Sequence, residues 1–227
     1  FDEVLATTMH ETMRYLCKNI QGCVFGYTQS DEITLVLTDY ATISTDAWFG
    51  YNVQKMCSIA ASMATLAFNT AFSDILAIQY YDTIASPESV VKENYMEYAD
   101  KFNQAMFDAR AFSLPIDEVC NCLIWRQQDA TRNSIEAVGQ ANFSHRELHG
   151  KSCNEIQEML WSQRGINWNN YPIYLKRGAC CYRKNVEKDI PDPKDADSIL
   201  HVVRREWAVD LEPPIFTQDR TYVERWL

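Results

Sequence analysis

The chain has 227 residues, of which 47% are hydrophobic and 23% charged. That balance fits a globular protein with a proper core and excludes a disordered chain. Its 21 basic and 31 acidic residues give a net charge of −10, which disfavours indiscriminate nucleic-acid binding but leaves room for a local basic groove.

The sequence opens at Phe1 with no signal-peptide pattern and no methionine, so the expectation is that further sequence precedes it. No apolar run is read as a membrane span. Asp2 to about Lys18 is expected to be a helix, because Leu5, Met9, Met13 and Leu16 recur at helical spacing. Gly22 ends that pattern. "CVFGYTQSDEITLVL" then gives two β-like runs around "TQSD", a hairpin. Asp31 and Glu32 stand at its turn. Charges there serve solubility, or they hold a metal ion; the local sequence leaves both open.

Tyr51 to about Ser73 reads as a second helix. Its one charge is Lys55, and Asn52, Lys55, Ser58, Ser62, Thr65 and Asn69 form a polar stripe at spacings of three and four. The stripe is either the solvated side of a buried helix or a ligand-facing side with Lys55 aimed at an anion. Residues 74–101 are mixed, with helical character around 90–102. "AMFDARAFSLP" is expected to be a strand, with Asp108 and Arg110 on one side. Pro115, Asp117 and Glu118 open a long helix.

Two short helices follow, the second capped by Ser152 with Glu155 three residues later. Lys176, Arg177, Arg183, Lys184 and Lys188 then gather around an apolar strand. "DIPDPKDAD" reads as an acidic loop, "ILHVVRREWAV" as a strand and "EPPIFTQDR" as a loop.

The eight cysteines form no C-x-x-C pair and are read as reduced core residues of a cytosolic protein. His145 and His149 are four apart but lack an evident third metal ligand. The chain has no G-x-x-x-x-G-K-[ST], G-x-G-x-x-G or G-x-S-x-G motif. Phosphate chemistry here must rest on side-chain cations and on carboxylate-held metals.

"GYTQSDEITLVL", the helix with Lys55, "FDARAFSLP", "WRQQDATRNSIEA" and "YLKRGACCYRK" occur in this order. The order resembles the tRNA-His guanylyltransferase superfamily, whose members add nucleotides in the 3′-to-5′ direction. The match is nearer the tRNA 5′-end repair members: Thr131 to Glu136 stand where the eukaryotic type has His-Ile-Asn-Asn-Leu-Tyr.

The resemblance implies an α+β fold: a polymerase-like palm, an antiparallel sheet with helices on one face, over residues 1–115. A C-terminal α/β extension, residues 116–227, would pack on it. It implies Asp31 as a metal ligand, Glu32 in a supporting catalytic role, and Ser30, Asn52, Lys55 and Arg110 as nucleotide contacts. Lys176 and Arg177 are implied near phosphate or tRNA. Two Mg²⁺ ions would serve the reaction, with ATP and GTP or other nucleoside triphosphates as substrates. The partner would be tRNA, the location cytoplasmic and the assembly a homotetramer. The family's first metal-binding aspartate, in an Asp-Gly-Arg context, is expected upstream of Phe1. A nucleotide cyclase and a non-catalytic RNA-binding relative are the alternatives.

Overall fold

The computed structural model describes residues 1–85, 98, 100–192 and 195–227. Helix α1, Glu3–Asn19, starts where the Asp2 carboxylate accepts from the Leu5 amide at 2.9 Å, which satisfies a free helix N–H. Its buried side carries Met9, Met13, Leu16 and Cys17. Two hydroxyls on that side are satisfied within the helix: Thr8 donates to the Val4 carbonyl at 2.6 Å and Thr12 to the Thr8 carbonyl at 2.7 Å.

Strands β1, Cys23–Gln29, and β2, Glu32–Leu37, form the expected hairpin. With β3, Ala179–Asp192, and β4, Asp195–Asp210, they make an antiparallel sheet in the order β2-β1-β3-β4. The sheet thus takes two strands from each end of the sequence. β1 pairs with β3 only from Phe25 to Thr28, opposite Tyr182 to Ala179. Beyond Tyr182, β3 and β4 pair with each other as a two-stranded arm. The acidic loop expected at "DIPDPKDAD" is therefore mostly strand. Only 193–194 separate β3 from β4, and they lie outside the described residues.

Helices cover both faces of the sheet; the expectation of one face describes residues 1–115 alone. On one face α1 packs Met13 and Cys17 against Cys181, Ile33 and Leu35. Gly26 allows this close approach, since a Cβ there would lie 2.5 Å from the Cys17 Sγ. Helix α2, Val53–Ala85, joins α1 on that face through Ala64, Phe68, Phe72 and Leu76. On the other face, Phe25 and Tyr27 meet Cys120 and Leu123 of α3, Ile116–Asn142, together with Phe216, Tyr222 and Val223.

Two sequence expectations change here, and a third is not tested. α2 runs past Ser73 to Ala85, because Phe68, Phe72 and Leu76 keep the i, i+4 repeat that packs on α1. Its stretch Val53–Ile78 is thereby long and apolar enough to cross a membrane, although its buried side packs as a core helix does. The helical character expected around 90–102 falls mostly outside the described residues. Residues 104–115 form no strand. Their backbone is held instead by α2 side chains: Thr65 Oγ1 accepts from the Phe107 amide at 3.1 Å, and Asn69 both donates to the Ala105 carbonyl, at 3.0 Å, and accepts from its amide, at 3.3 Å.

Short helices α4, His145–Leu148, and α5, Cys153–Arg164, each begin with a capping box, Ser144 with Glu147 and Ser152 with Glu155. α6 spans Ile173–Arg177 and α7 Thr221–Glu224. Lys176 and Arg177, expected on a strand, therefore end α6; Gly178 breaks it with φ +79° and β3 follows.

Candidate active site at the hairpin turn

Gln29 and Glu32 close the β1–β2 ladder, leaving Ser30 and Asp31 as the turn. Ser30 adopts φ +49°, a left-handed conformation that is strained for a residue with a Cβ. The Thr28 hydroxyl donates to the Glu32 carbonyl at 2.9 Å and fastens the turn. Asp31 is exposed, and among the described residues nothing hydrogen-bonds or ion-pairs with its carboxylate. Glu32 is engaged. Its carboxylate accepts from Gln29 Nε2 at 2.9 Å and from Arg126 Nη1 at 3.0 Å. The neighbours thus differ: Asp31 lies in the turn with its carboxylate unengaged among the described residues, whereas Glu32, the first residue of β2, is fixed to α3.

Arg126 was not singled out by the sequence reading, although it lies in "WRQQD". Its guanidinium carbon is also 5.0 Å from the centre of the Trp125 ring. Further along α3, Asp129 ion-pairs with Arg132. The buried Tyr27 hydroxyl, on β1, donates to the Arg177 carbonyl at 2.6 Å. Burial above all, with the nearby Cys180 and Asp129, pushes this phenol far above its usual range. It stays protonated and so remains a donor.

Asn52 and Lys55 come together at the start of α2. The Asn52 side-chain oxygen accepts from the Lys55 amide at 3.0 Å, so the Asn52 side chain caps the helix. The Lys55 ammonium lies 4.5 Å from the Phe49 ring centre. Before it, Phe49, Gly50 and Tyr51 all have positive φ. The polar stripe divides in two. Ser58 and Ser62 donate to carbonyls of their own helix, whereas Thr65 and Asn69 grip residues 105–107. A groove of about 600 Å³ opens there, lined by Ser62, Leu66 and Met106 among others.

Arg110 lies in the irregular segment, exposed, 3.4 Å from Asp108. Lys176 is buried. Its ammonium donates to the Asn169 carbonyl at 2.6 Å and sits 5.4 Å from the Trp168 ring centre. Burial, and then the Arg177 charge, lower its pKa. Lys176 therefore holds the chain together rather than facing outward, while Arg177 is partly exposed. No three His, Cys, Asp or Glu among the described residues are placed to hold a metal ion. The ring centres of His145 and His149 are 6.0 Å apart.

The sequence profile described as tRNAHis guanylyltransferase matches residues 1–115, half of the chain. The chain belongs to the tRNAHis guanylyltransferase family. A bacterial tRNA(His) guanylyltransferase-like protein solved in complex with ATP is 38% identical. The match covers all of this chain and 80% of that one, with a TM-score of 0.77. A bacterial structure of the same description, in complex with GTP, is 37% identical, with TM-score 0.71 and coverage of 100% and 79%. An uncharacterised protein of Acanthamoeba polyphaga mimivirus is 26% identical over 83% of this chain and 63% of its own length. The chain spans between 33% and 65% of the length of the curated relatives it matches.

Proposed function

We propose that this chain is a nucleotidyltransferase that adds nucleotides to tRNA 5′ ends in the 3′-to-5′ direction, by templated end repair or by G addition to tRNA-His. The observation that carries the reading is the exposed, unpartnered Asp31 beside a Glu32 fixed by Arg126, in a chain of this family. On this reading the sheet is a polymerase-like palm. ATP first adenylylates the RNA 5′-monophosphate: the α–β phosphoanhydride of ATP breaks and pyrophosphate leaves. The 3′-hydroxyl of an incoming nucleoside triphosphate then attacks the activated end and displaces AMP. The ATP and GTP in the two bacterial complexes support nucleotides as substrates.

Magnesium fits the described residues in part. Asp31 offers the hard oxygen donor that Mg²⁺ takes, but no complete cluster accompanies it. Bound magnesium would neutralise charge on the phosphate oxygens. The chain's own residues do the rest. Lys55 and Arg110 bind the triphosphate, as point charge and fork. Asn52 and Ser30 lie beside it. Glu32, held by Arg126, keeps the turn in place.

The cations for tRNA are Arg177 and, on the β3–β4 arm, Arg183, Lys184, Lys188, Arg204 and Arg205. A homotetramer is the assembly that the family resemblance implies, and in it the exposed Leu66, Ile78 and Met106 would find cover. The free cysteines suit a cytoplasmic location.

The test uses a tRNA lacking its 5′ nucleotide, with Mg²⁺, ATP and all four nucleoside triphosphates. Template-matched 5′ extension that vanishes in Asp31→Ala is expected. No extension, with equal tRNA binding by both proteins, would leave a non-catalytic RNA-binding relative. Product that is never joined to RNA would indicate a cyclase-like activity.

A further inference from the structure

We infer that Trp125 is the surface on which a nucleobase at the RNA 5′ end stacks; the inference rests on the tRNA reading above. Trp125 is 57% exposed, a large indole left in water where most tryptophans find cover. It is not free to wander. The guanidinium carbon of Arg126 lies 5.0 Å from the ring centre, and the same guanidinium is pinned to Glu32 at 3.0 Å. An aromatic plane is thus parked beside the hairpin turn.

The two faces of the sheet decide what that plane can serve. Ile33 and Leu35 point toward α1 and α2. Val36 packs on the cluster that includes α3, and Glu32 shares its side of the strand by alternation. Lys55 belongs to α2, so the triphosphate reading occupies the α2 side. The α3 side is left for the polynucleotide.

The helix adds a phosphate ligand at the right spacing. Arg132 follows Trp125 by two helical turns and so lies on the same face. Its side chain is 60% exposed, and Asp129, between them on that face, orients it. A base on Trp125 and a backbone phosphate at Arg132 fit one strand running along α3. Stacking is indifferent to base identity, because every base has a π face. That suits a site working on ends of differing sequence.

The test uses the full chain with Trp125→Ala and Trp125→Phe. A 5′-monophosphorylated tRNA lacking its first nucleotide is titrated by filter binding, and ATP by equilibrium dialysis; circular dichroism checks the fold. The alanine variant is expected to weaken RNA binding about 5-fold to 100-fold and the phenylalanine variant by no more than about 3-fold, with ATP affinity the same in all three. Parental RNA affinity in the alanine variant overturns the inference, as does equal loss in both variants. Loss of ATP affinity would show that the indole serves the base of the free nucleotide instead. A parent protein that binds no RNA overturns the tRNA reading itself and this inference with it.

Discussion

Arg126 on α3 donates to the Glu32 carboxylate at 3.0 Å, across 94 positions of sequence. The contact ties the hairpin turn to a helix from the other half of the chain. Both partners remain partly in water, with side chains 28% and 50% exposed, so the pair contributes only about 0–1 kcal/mol to stability. Its value is placement. Arg126→Ala is expected to leave the melting temperature nearly unchanged yet lower 5′ extension by about 10-fold or more through a misplaced turn. Parallel melting and extension assays separate the two effects.

Asp31 offers the opposite case, a charge that the fold does not use. Asp31→Asn is expected to change stability by less than about 0.5 kcal/mol, as for most surface substitutions. On the proposed function extension should fall more than about 100-fold, because the carboxylate proposed to hold magnesium loses its charge. Urea denaturation and a Mn²⁺ titration followed by electron paramagnetic resonance check the two halves.

Asn69, together with Thr65, replaces a strand partner for residues 105–107. Asn69→Ala removes its bonds to the Ala105 carbonyl and amide and is expected to cost about 1–3 kcal/mol. The Ala105 and Phe107 amides should exchange faster with deuterium. Arg110, the proposed triphosphate contact, sits on the same segment, so on that proposal the Km for the nucleoside triphosphate should rise as well.

Gly178 separates α6 from β3 with φ +79°, and a Cβ there would meet the Thr28 carbonyl oxygen at 2.4 Å. Gly178→Ala combines backbone strain with a clash against an immobile strand. A loss of more than about 2 kcal/mol is expected, measured by chemical denaturation.

His10 faces Tyr174 at 5.4 Å between ring centres. Burial lowers its pKa from the ordinary 6.5, partly offset by Glu11 and Glu3. The unfolded chain therefore takes up a proton at higher pH than the folded one, so stability rises with pH across that window. It is fully held above about pH 6.5 and falls as the pH drops through the lowered value. Melting curves between pH 5 and 8, compared with His10→Gln, should show a flatter acid limb in the variant.

Much of this protein follows from local sequence. α1, the hairpin and the two capping boxes are set by contacts within a few residues, such as Asp2 to Leu5 and Ser152 to Glu155. The motif order in the chain pointed to the family for the same reason, since its signatures are short. What failed was long-range. "FDARAF" has the alternation of a strand, but a strand needs a ladder partner, and Asn69 and Thr65 of α2 took those amides instead. Lys176 reads as a surface cation, and only the packing of α6 against Trp168 and Asn169 buried it. Arg126 gains its role solely because α3 crosses the end of the hairpin. Side-chain periodicity and caps are properties of neighbours in sequence, so the chain alone determined them. Which polar group is free and which is already spent depends on what packs over it, and that was decided only in the tertiary structure.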